Sequence, residues 1–517
     1  MPPRPARRRR SSTLPGSRRD EGGYFVAIVA ISVTVLVLSA AFVVDVGGWY
    51  ARGSKIQRAA DAAALAGVVW MPDFPTARSA ALTTLARNGF VPGGDISVSV
   101  APDPGNSRRL SVSITDAKAP QAFSGMFRSS QSLTRDATAE YVLPVPLGSP
   151  QNTFGSGDLL GLLERENLWA AVNGYCAGHE SGDVKLARNE SYSTATGSAA
   201  QCNNGSAQTP DYDPAGYLYA IELPQAQSSL KLEVYDGGFN RTLSTPDQSL
   251  TSEAQSVTTV FQVYGADDTP LDTNDNPLLS TTTVATNDLS YQNLWRPLHT
   301  WSNPQAGTYY VRVKTQAQTS ESRASNGFGL RAYTGLLFTR CTTISAEPGY
   351  SPSCPQIHGV GHMSIFANLG GSSGSTATFY LAQIDPVHAG KTMQITLFDA
   401  GEGAQKIEVL DPNGDPATFR WSTLCNPPTP PTGGCSAAGV TSLNVAGTGT
   451  QPYSGLQSNS KYNDRKMTLD IGLPVDYTTR YGTKTWWRIR YTVGSTPTDR
   501  TTWSVNIVGD PVHLVGG

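Results

Sequence analysis

The sequence predicts an N-terminal transmembrane α-helix with a short α+β stalk, followed by a mainly-β region of two tandem antiparallel β-sandwiches of jelly-roll type. Three observations predict this class: one uncharged apolar run, a helix-forming continuation behind it, and strand-like runs that occur twice in the same order. The length of 517 residues allows roughly two to four domains. With 15% charged and 39% hydrophobic residues, the composition excludes a disordered chain, a coiled coil and a polytopic membrane protein.

The apolar run covers residues 24–44 and contains no charge. At 1.5 Å per residue it makes a helix of roughly 31 Å, which matches a hydrocarbon core of about 30 Å. Tyr24 begins the run, and Trp49 and Tyr50 follow it. Because aromatic side chains favour the membrane–water boundary, we expect these three residues to lie at the two interfaces.

A basic tail precedes the apolar run. Residues 1–23 hold seven arginines against Asp20 and Glu21, so the tail carries +5 within a chain of net charge −2. The positive-inside rule therefore places the N-terminus in the cytoplasm and the C-terminal bulk outside. A basic tail on a mildly acidic body does not indicate a nucleic-acid partner, whose site would be a basic folded face.

A cleaved signal peptide is the alternative to a permanent anchor, with residues 39–41 (Ser-Ala-Ala) as the cleavage site. The helical pattern, however, continues beyond the membrane over residues 46–70, which are rich in alanine and contain no proline. A signal peptide would not need this continuation, so the sequence favours an anchor.

A family resemblance rests on residues 20–68. They combine the apolar span, Asp45-Val46-Gly47 with nearby aromatic residues, and the run QRAADAAALAG at residues 57–67. This segment resembles the N-terminus of TadG-like (TadE/TadG) proteins of the Tad/Flp pilus assembly system. A looser likeness extends over a second helix at 76–88, strands at 96–100 and 110–115, and the stretch 134–139.

The resemblance implies a single-pass protein of the bacterial plasma membrane that takes part in assembling or anchoring pili. Its partners would be the lipid bilayer, pilus or pilus-assembly proteins contacted by packing of the Ala-rich helix, and cell-wall glycan. Glu21 precedes Gly22 and Gly23 instead of following them closely. We therefore expect no prepilin-peptidase cleavage.

The expected organisation has six parts. They are a basic cytoplasmic tail (1–23), the transmembrane helix (24–44), a TadG-like helical and α+β stalk (45–142), a proline-rich linker (143–155), a first β-sandwich (156–340) and a second β-sandwich (341–517).

The division into two sandwiches follows from an internal repeat. The runs 217–224 and 230–237 return at 379–386 and 393–400, and three further pairs of runs follow in the same order. Corresponding elements in one order indicate a duplicated domain. The phrases at 306–313 and 326–332 also resemble the pre-peptidase C-terminal-like β-sandwich repeats of secreted bacterial proteins.

Six cysteines lie in the outer region and form three close pairs in the sequence. Six cysteines allow 15 connectivities, of which short loops close most easily. We therefore expect the disulfides Cys176–Cys202, Cys341–Cys354 and Cys425–Cys435. Disulfides require an oxidising compartment, as the expected topology provides.

No cofactor is expected, with one alternative at an acidic loop. Calcium binds loops that supply many oxygen ligands, and a solvated turn rich in Asx caps explains the same composition. The loop contains Asp267, Asp268, Asp272, Asn274 and Asp275.

Other motifs favour structural explanations. The G-x-S-x-G match at 370–374 lies in a flexible turn instead of between a strand and a helix. Asp247-Gln248-Ser249 follows a polar loop, unlike the metal-binding motif of von Willebrand A domains that it resembles. Cys354, His358 and His362 have a zinc-like spacing, but a disulfide at Cys354 is favoured. No residue is expected to be catalytic.

We expect a non-enzymatic, membrane-anchored component of pilus assembly or anchoring whose sandwiches contact pilus, cell wall or partner proteins. The alternatives are a surface adhesin that binds glycan or protein, and a secreted hydrolase accessory. The pairs Tyr309-Tyr310 and Trp486-Trp487 bear on the adhesin, because an alternating strand is expected to bury one ring of each pair and expose the other.

Overall fold

The structure, a computed structural model, divides into two compact units. Met1–Tyr141 with Val512–Gly517 is called here the N-terminal unit, and Val142–Pro511 the sandwich unit. The residues described are 22–71, 74–103, 106–119, 121, 123, 125, 130–141, 144–155, 166–177, 181–187, 211–240, 247–249, 257–266, 273, 276–316, 324–369, 373–401, 404–424, 434–447, 449–450, 457–458, 461–494, 498–508 and 512–515.

The helices and strands are numbered in chain order. The helices are α1 (Gly22–Val68), α2 (Phe74–Arg87) and α3 (Tyr477–Tyr481). The strands are β1 (Ile96–Asp103), β2 (Asn106–Asp116), β3 (Leu133–Tyr141), β4 (Pro146–Gly148), β5 (Thr153–Phe154), β6 (Glu166–Asn173), β7 (Tyr217–Leu223), β8 (Ser229–Asp236), β9 (Phe239–Asn240), β10 (Asp247–Ser249), β11 (Thr258–Tyr264), β12 (Leu278–Ala285), β13 (Trp295–Ser302), β14 (Gly307–Thr315), β15 (Ala324–Tyr333), β16 (Gln356–Val360), β17 (His362–Leu369), β18 (Thr376–Gln383), β19 (Thr392–Phe398), β20 (Ala404–Leu410), β21 (Phe419–Thr423), β22 (Ser436–Val440), β23 (Leu443–Asn444), β24 (Gly449–Thr450), β25 (Gln457–Ser458), β26 (Lys466–Gly472), β27 (Trp486–Val493), β28 (Thr498–Val508) and β29 (Val512–Val515).

The N-terminal unit packs α1 and α2 on four antiparallel strands in the order β1-β2-β3-β29. α1 has 47 residues, about 70 Å at 1.5 Å per residue, and runs unbroken through Gly47 and Gly48. Helix and strand positions expected at 76–88, 96–100 and 110–115 correspond to α2, β1 and β2.

The second half of α1 buries one face in this unit. Its buried positions recur at the three- and four-residue spacing of a helix and contact α2 and the sheet. They are Ile56, Ala59, Ala60, Ala63, Ala64 and Val68. Because alanine side chains are short, the helix axis lies close to both neighbours. At Gly67 the approach is close, since an added Cβ would lie 2.8 Å from the main-chain oxygen of Ala77.

The sandwich unit consists mainly of two long antiparallel sheets. Sheet A follows the order β13-β8-β15-β6-β17-β28-β19-β26-β21-β22, and sheet B follows β12-β11-β14-β7-β16-β4-β18-β27-β20-β23. The sheets share one core. In it Phe328 of β15 in sheet A contacts Phe261 and Tyr219 of sheet B, with ring centroids 5.2 and 6.1 Å apart. The predicted antiparallel, mainly-β class is confirmed.

Equivalent strands of the two sequence repeats take equivalent places in both sheets. In sheet A, β13-β8-β15-β6 of the first repeat is matched in reverse by β17-β28-β19-β26 of the second. The equivalent strands β6 and β17 pair antiparallel at the centre, with Ile365 opposite Ala170. Pairing of like with like in opposite directions is expected of a duplicated domain joined to its copy about a local two-fold axis.

The repeats therefore share continuous sheets, whereas the sequence predicts two successive sandwiches divided at residue 340. Joining like edges covers two strands that would otherwise expose unpaired main-chain groups. The predicted linker at 143–155 is also corrected, because it contains β4 and β5, which pair with β16, β18 and β15. At the other end β29 pairs with β3, so the second repeat ends before residue 512.

Candidate functional site

The apolar half of α1 is the candidate membrane anchor. Residues 24–40 are all exposed, as a lipid-facing helix requires, and Tyr24 is 81% exposed. In the described part of the chain, α1 is the helix long and apolar enough to cross a membrane. Thr34 and Ser39 donate their hydroxyls to the main-chain oxygens of Ala30 and Val35, both at 2.8 Å, which satisfies these polar groups within the helix.

The aromatic residues predicted at the interfaces differ in environment. Tyr24 and Tyr50 are exposed, and Trp49 is half-buried. Tyr50 lies beyond the apolar span, as the expected order of segments requires. Their position in a bilayer stays a prediction.

Asp45 lies directly after the apolar span and is buried. Both of its carboxylate oxygens accept the main-chain N–H of Phe123, at 3.1 and 3.2 Å. A carboxylate at the end of the span is thus held by the segment between β2 and β3. The Phe123 ring remains 46% exposed beside it.

We expect Asp45→Ala to release this segment, because Phe123 then loses its acceptor. The loss of a hydrogen bond to a charged group costs about 1–3 kcal/mol of local ordering. Hydrogen exchange of full-length protein in nanodiscs should show faster exchange at Phe123. Asp45→Asn, which keeps one acceptor oxygen, should be intermediate, and equal protection in all three proteins would show that Asp45 does not hold the segment.

The Ala-rich part of α1 was expected to pack against partner helices, but the structure uses that face internally. Ala59, Ala63 and their neighbours contact α2, β2 and β3 of the same chain. The exposed side of this half carries Lys55 and Arg58 instead. The Ala-rich face is therefore occupied within the chain, and packing against partner helices stays a prediction.

The sandwich unit contains a second candidate site, a pair of buried aspartates in the first repeat. Asp236 ends β8 and is 1% exposed, and Asp247 begins β10 and is fully buried. Asp247 Oδ1 accepts the main-chain N–H of Gly327 at 2.7 Å. Neither carboxylate oxygen of Asp236 has a hydrogen-bond partner among the described residues, nor has Oδ1 of the buried Asn326.

Burial raises the pKa of both carboxyl groups. For Asp236 the neighbouring charge of Asp288 raises the pKa further, while the Asn326 amide lowers it. For Asp247 the charge of Asp236 adds to burial, and Arg500 opposes both. Because the charge of Asp236 raises the pKa of Asp247, the two carboxylates lie close together.

The second repeat gives an internal comparison, because Asp399 follows β19 as Asp236 ends the equivalent β8. Asp399 is also fully buried, but its Oδ1 accepts the main-chain N–H of Asp464 at 2.6 Å. The same strand position thus has a main-chain donor in the second repeat and none among the described residues in the first.

The comparisons with known proteins bear first on the anchor. Residues 23–78 match the model of the family described as putative Flp pilus-assembly TadE/G-like. The match contains the apolar span, Asp45 and the Ala-rich half of α1, and it confirms the resemblance predicted for this segment. The TadE/G-like segment is thus the part of the chain with a family assignment.

The rest of the chain has weaker likenesses. No curated protein matches the chain. Among solved structures, a similar chain is the N-terminal CBM22-1-CBM22-2 tandem domain from Paenibacillus barcinonensis Xyn10C, at 11% identity over 81% of this chain and 92% of that chain, with a TM-score of 0.14. A TM-score this low supports no conclusion about fold or ligand.

Outside the TadE/G-like segment, the cysteines are oxidised where they are described. Cys341 and Cys354 form a disulfide. Cys176 and Cys435 are also disulfide-bonded. Cys202 and Cys425 lie outside the described residues, so the other two predicted pairings stay predictions.

The predicted calcium loop lies outside the described residues, and a calcium site there stays a prediction. These residues are Asp267, Asp268, Asp272, Asn274 and Asp275. Of their neighbours, Thr273 accepts a hydrogen bond from Arg312, and Asn276 donates to the main-chain oxygen of Gly265 at 2.8 Å.

The histidines with zinc-like spacing are not brought together. Cys354 is in its disulfide, and His358 Nε2 lies 3.0 Å from Glu222 Oε1. His362 lines a separate polar cleft of about 330 Å³ that also includes Lys185 and Lys466. Burial, aided by Lys185, lowers the pKa of His362 to about 4.

The paired aromatic residues are all buried, which corrects the expectation of one exposed ring per pair. Tyr309, Tyr310, Trp486 and Trp487 are each at most 5% exposed. The cause for Trp487 is visible in its contacts, because its indole N–H donates to the buried Tyr477 hydroxyl at 2.9 Å. Residues 370–372 of the G-x-S-x-G match lie outside the described residues.

Proposed function

We propose that the protein is a non-enzymatic, membrane-anchored component of Tad/Flp-type pilus assembly or anchoring. One observation carries the proposal: the TadE/G-like match at residues 23–78 covers both halves of α1. The first half is apolar and exposed, and the second, Ala-rich half packs within the N-terminal unit. An anchor of this kind places a folded body at a fixed distance from the bilayer.

The proposed orientation has the arginine tail in the cytoplasm and the sandwich unit outside the plasma membrane. The positive-inside rule and the oxidised cysteines support it, since disulfides persist in oxidising compartments. The test compares Ser12→Cys in the tail with Lys55→Cys in the exposed part of α1. In intact cells an impermeant maleimide should label only Lys55→Cys above the parent protein, and labelling of the tail would reverse the topology.

The proposed partner surface is the apolar span. Ala27, Ala30 and Thr34 lie on one side of α1 at spacings of three and four residues, and small side chains let two helices approach closely in lipid. The partners would be other membrane helices of the pilus assembly, which the family description suggests. The sandwich unit would then contact pilus, wall glycan or partner proteins.

Pilus formation tests this proposal directly. We expect deletion of the coding sequence to reduce surface pili, and Ala30→Leu to reduce them several-fold because it fills the packing surface. The matched control is Ser32→Leu, which lies on a different side of the same helix and should have little effect. A photo-crosslinking residue at position 30, but not at 32, should capture a pilus-assembly protein. Normal pili in the deletion strain would reject the proposal.

The adhesin alternative loses one of the two observations that would favour it, since Trp486 and Trp487 are buried. The other, a calcium site at Asp272, stays a prediction. A hydrolase would need a catalytic constellation. In the described part of the chain, no group of three or more His, Cys, Asp or Glu is placed to hold a metal ion. The non-enzymatic role rests on the TadE/G-like match.

A further inference from the structure

The buried aspartate pair of the first repeat has more acceptors than donors. Asp236 and Asn326 contribute three buried oxygens that have no hydrogen-bond partner in the described part of the chain. The Asn326 amide donates its N–H to Thr259 Oγ1 at 2.7 Å, which leaves its oxygen on the other side. If the amide were turned, it would give Asp236 one donor, which still leaves the second oxygen without one.

The three side chains converge on one point of the sheet. β10 pairs with β15 so that Gln248 is opposite Ser325, which places Asp247 beside Asn326. Asp236 is opposite Phe328 on the same edge of β15, two residues further along. Since Asn326 and Phe328 lie on the same face of β15, the end of β8 and the start of β10 bring both carboxylates towards Asn326.

We infer that Asp236, Asp247 and the Asn326 amide oxygen form a calcium-binding site inside the sandwich unit. A hard cation binds oxygen atoms that accept no hydrogen bond from the protein. Calcium takes six to eight oxygen ligands in flexible geometry. Two carboxylates and one amide leave further positions for main-chain carbonyls and water. Magnesium is less suitable, because it demands a smaller octahedral shell and keeps its own waters.

The charges around the pair also fit a cation. Arg500 balances part of the charge of Asp247, and Asp288 adds a negative charge near Asp236. Asp288 is only partly buried, so the negative field extends from the pair towards solvent.

The second repeat shows how the same position is built without a ligand. Asp399 receives the Asp464 N–H, and the next residue, Arg465, is buried beside it with Nη1 donating to the Leu424 oxygen at 2.9 Å. In the second repeat the aspartate at this position thus accepts a main-chain donor, which Asp236 lacks among the described residues. We therefore assign calcium binding to the first repeat alone.

Terbium luminescence and thermal unfolding of the full-length protein in nanodiscs test the site. Terbium replaces calcium, and Tyr235 next to Asp236 would sensitise it, with Trp295 5.4 Å from the Tyr235 ring. We expect terbium emission that calcium displaces. Calcium at about 100 times its dissociation constant should raise the Tm of the sandwich unit by about 3 °C.

Asp236→Asn tests whether these carboxylates bind calcium, because the new amide can donate to Asp247 and keep the variant folded. We expect this variant to lose terbium emission and the calcium-dependent Tm shift, and to be at least as stable as the wild type without calcium. The matched control Asp399→Asn should keep both calcium responses. No terbium emission and no Tm shift in the wild type, or full responses in Asp236→Asn, would overturn the site. Neither outcome bears on pilus assembly.

Discussion

Gly67→Val should unfold the N-terminal unit while leaving the membrane span intact. An added Cβ at Gly67 would lie 2.4 Å from Leu110 Cδ2, 2.8 Å from the Ala77 oxygen and 3.1 Å from Ala81 Cβ. The leucine side chain can rotate, but the Ala77 oxygen belongs to the backbone of α2. Relieving the clash requires α2 to move off α1, at a cost of about 3 kcal/mol.

Gly48→Val is the matched control, since a Cβ at Gly48 meets nothing within 4 Å. Hydrogen exchange in nanodiscs should show lost protection of β2 around Leu110 in Gly67→Val and wild-type protection in Gly48→Val. Both variants should remain in the membrane fraction. Equal protection in the two variants would mean that α1 and α2 do not pack as closely as the structure has them.

The anchor could be predicted from the sequence because its signal is local. A charge-free run of the right length and an Ala-rich continuation define α1 without knowledge of any distant contact. What the Ala-rich face packs against could not be read in the same way. A small-residue face is equally suited to a partner helix and to a sheet of the same chain, and only the folded unit distinguishes the two.

In the sandwich unit, too, the strands could be predicted from the sequence but some of their pairings could not. The five repeated runs found in the sequence occupy β7, β8, β11, β14 and β15 and their equivalents β18, β19, β20, β27 and β28. Period-two patterns identify such strands but not the partner of an edge strand. The pairing of β6 with β17 therefore had no signal in the sequence.

The acidic pair was missed for a related reason. Asp236 and Asp247 are eleven positions apart, and the neighbouring Asn326 comes from a strand about eighty residues later. The sequence instead drew attention to the acidic loop around Asp272, where the candidate ligands are contiguous. One signal was available: the repeat alignment pairs Asp236 with Asp399, so an aspartate recurs at the end of equivalent strands.

Trp503→Ala should destabilise both repeats at once. Trp503 lies in β28, is fully buried in the shared core, and is flanked by β17 and β19. Truncating a buried tryptophan costs about 3–5 kcal/mol. In two independent sandwiches that loss would be confined to the second repeat. In continuous sheets it should also reduce the hydrogen-exchange protection of β8 in the first repeat, because β17 holds β6 in place.

Val508→Ala is the control on the same strand, since Val508 is 47% exposed and its truncation should change stability by less than about 0.5 kcal/mol. The comparison of β8 with β19 in Trp503→Ala then decides the architecture. Equal loss of hydrogen-exchange protection in both strands means that the two repeats, joined by the β6–β17 pair, unfold as one cooperative unit. Loss of protection in β19 with wild-type protection in β8 would mean that the repeats unfold separately and that the β6–β17 pairing adds little to the stability of either.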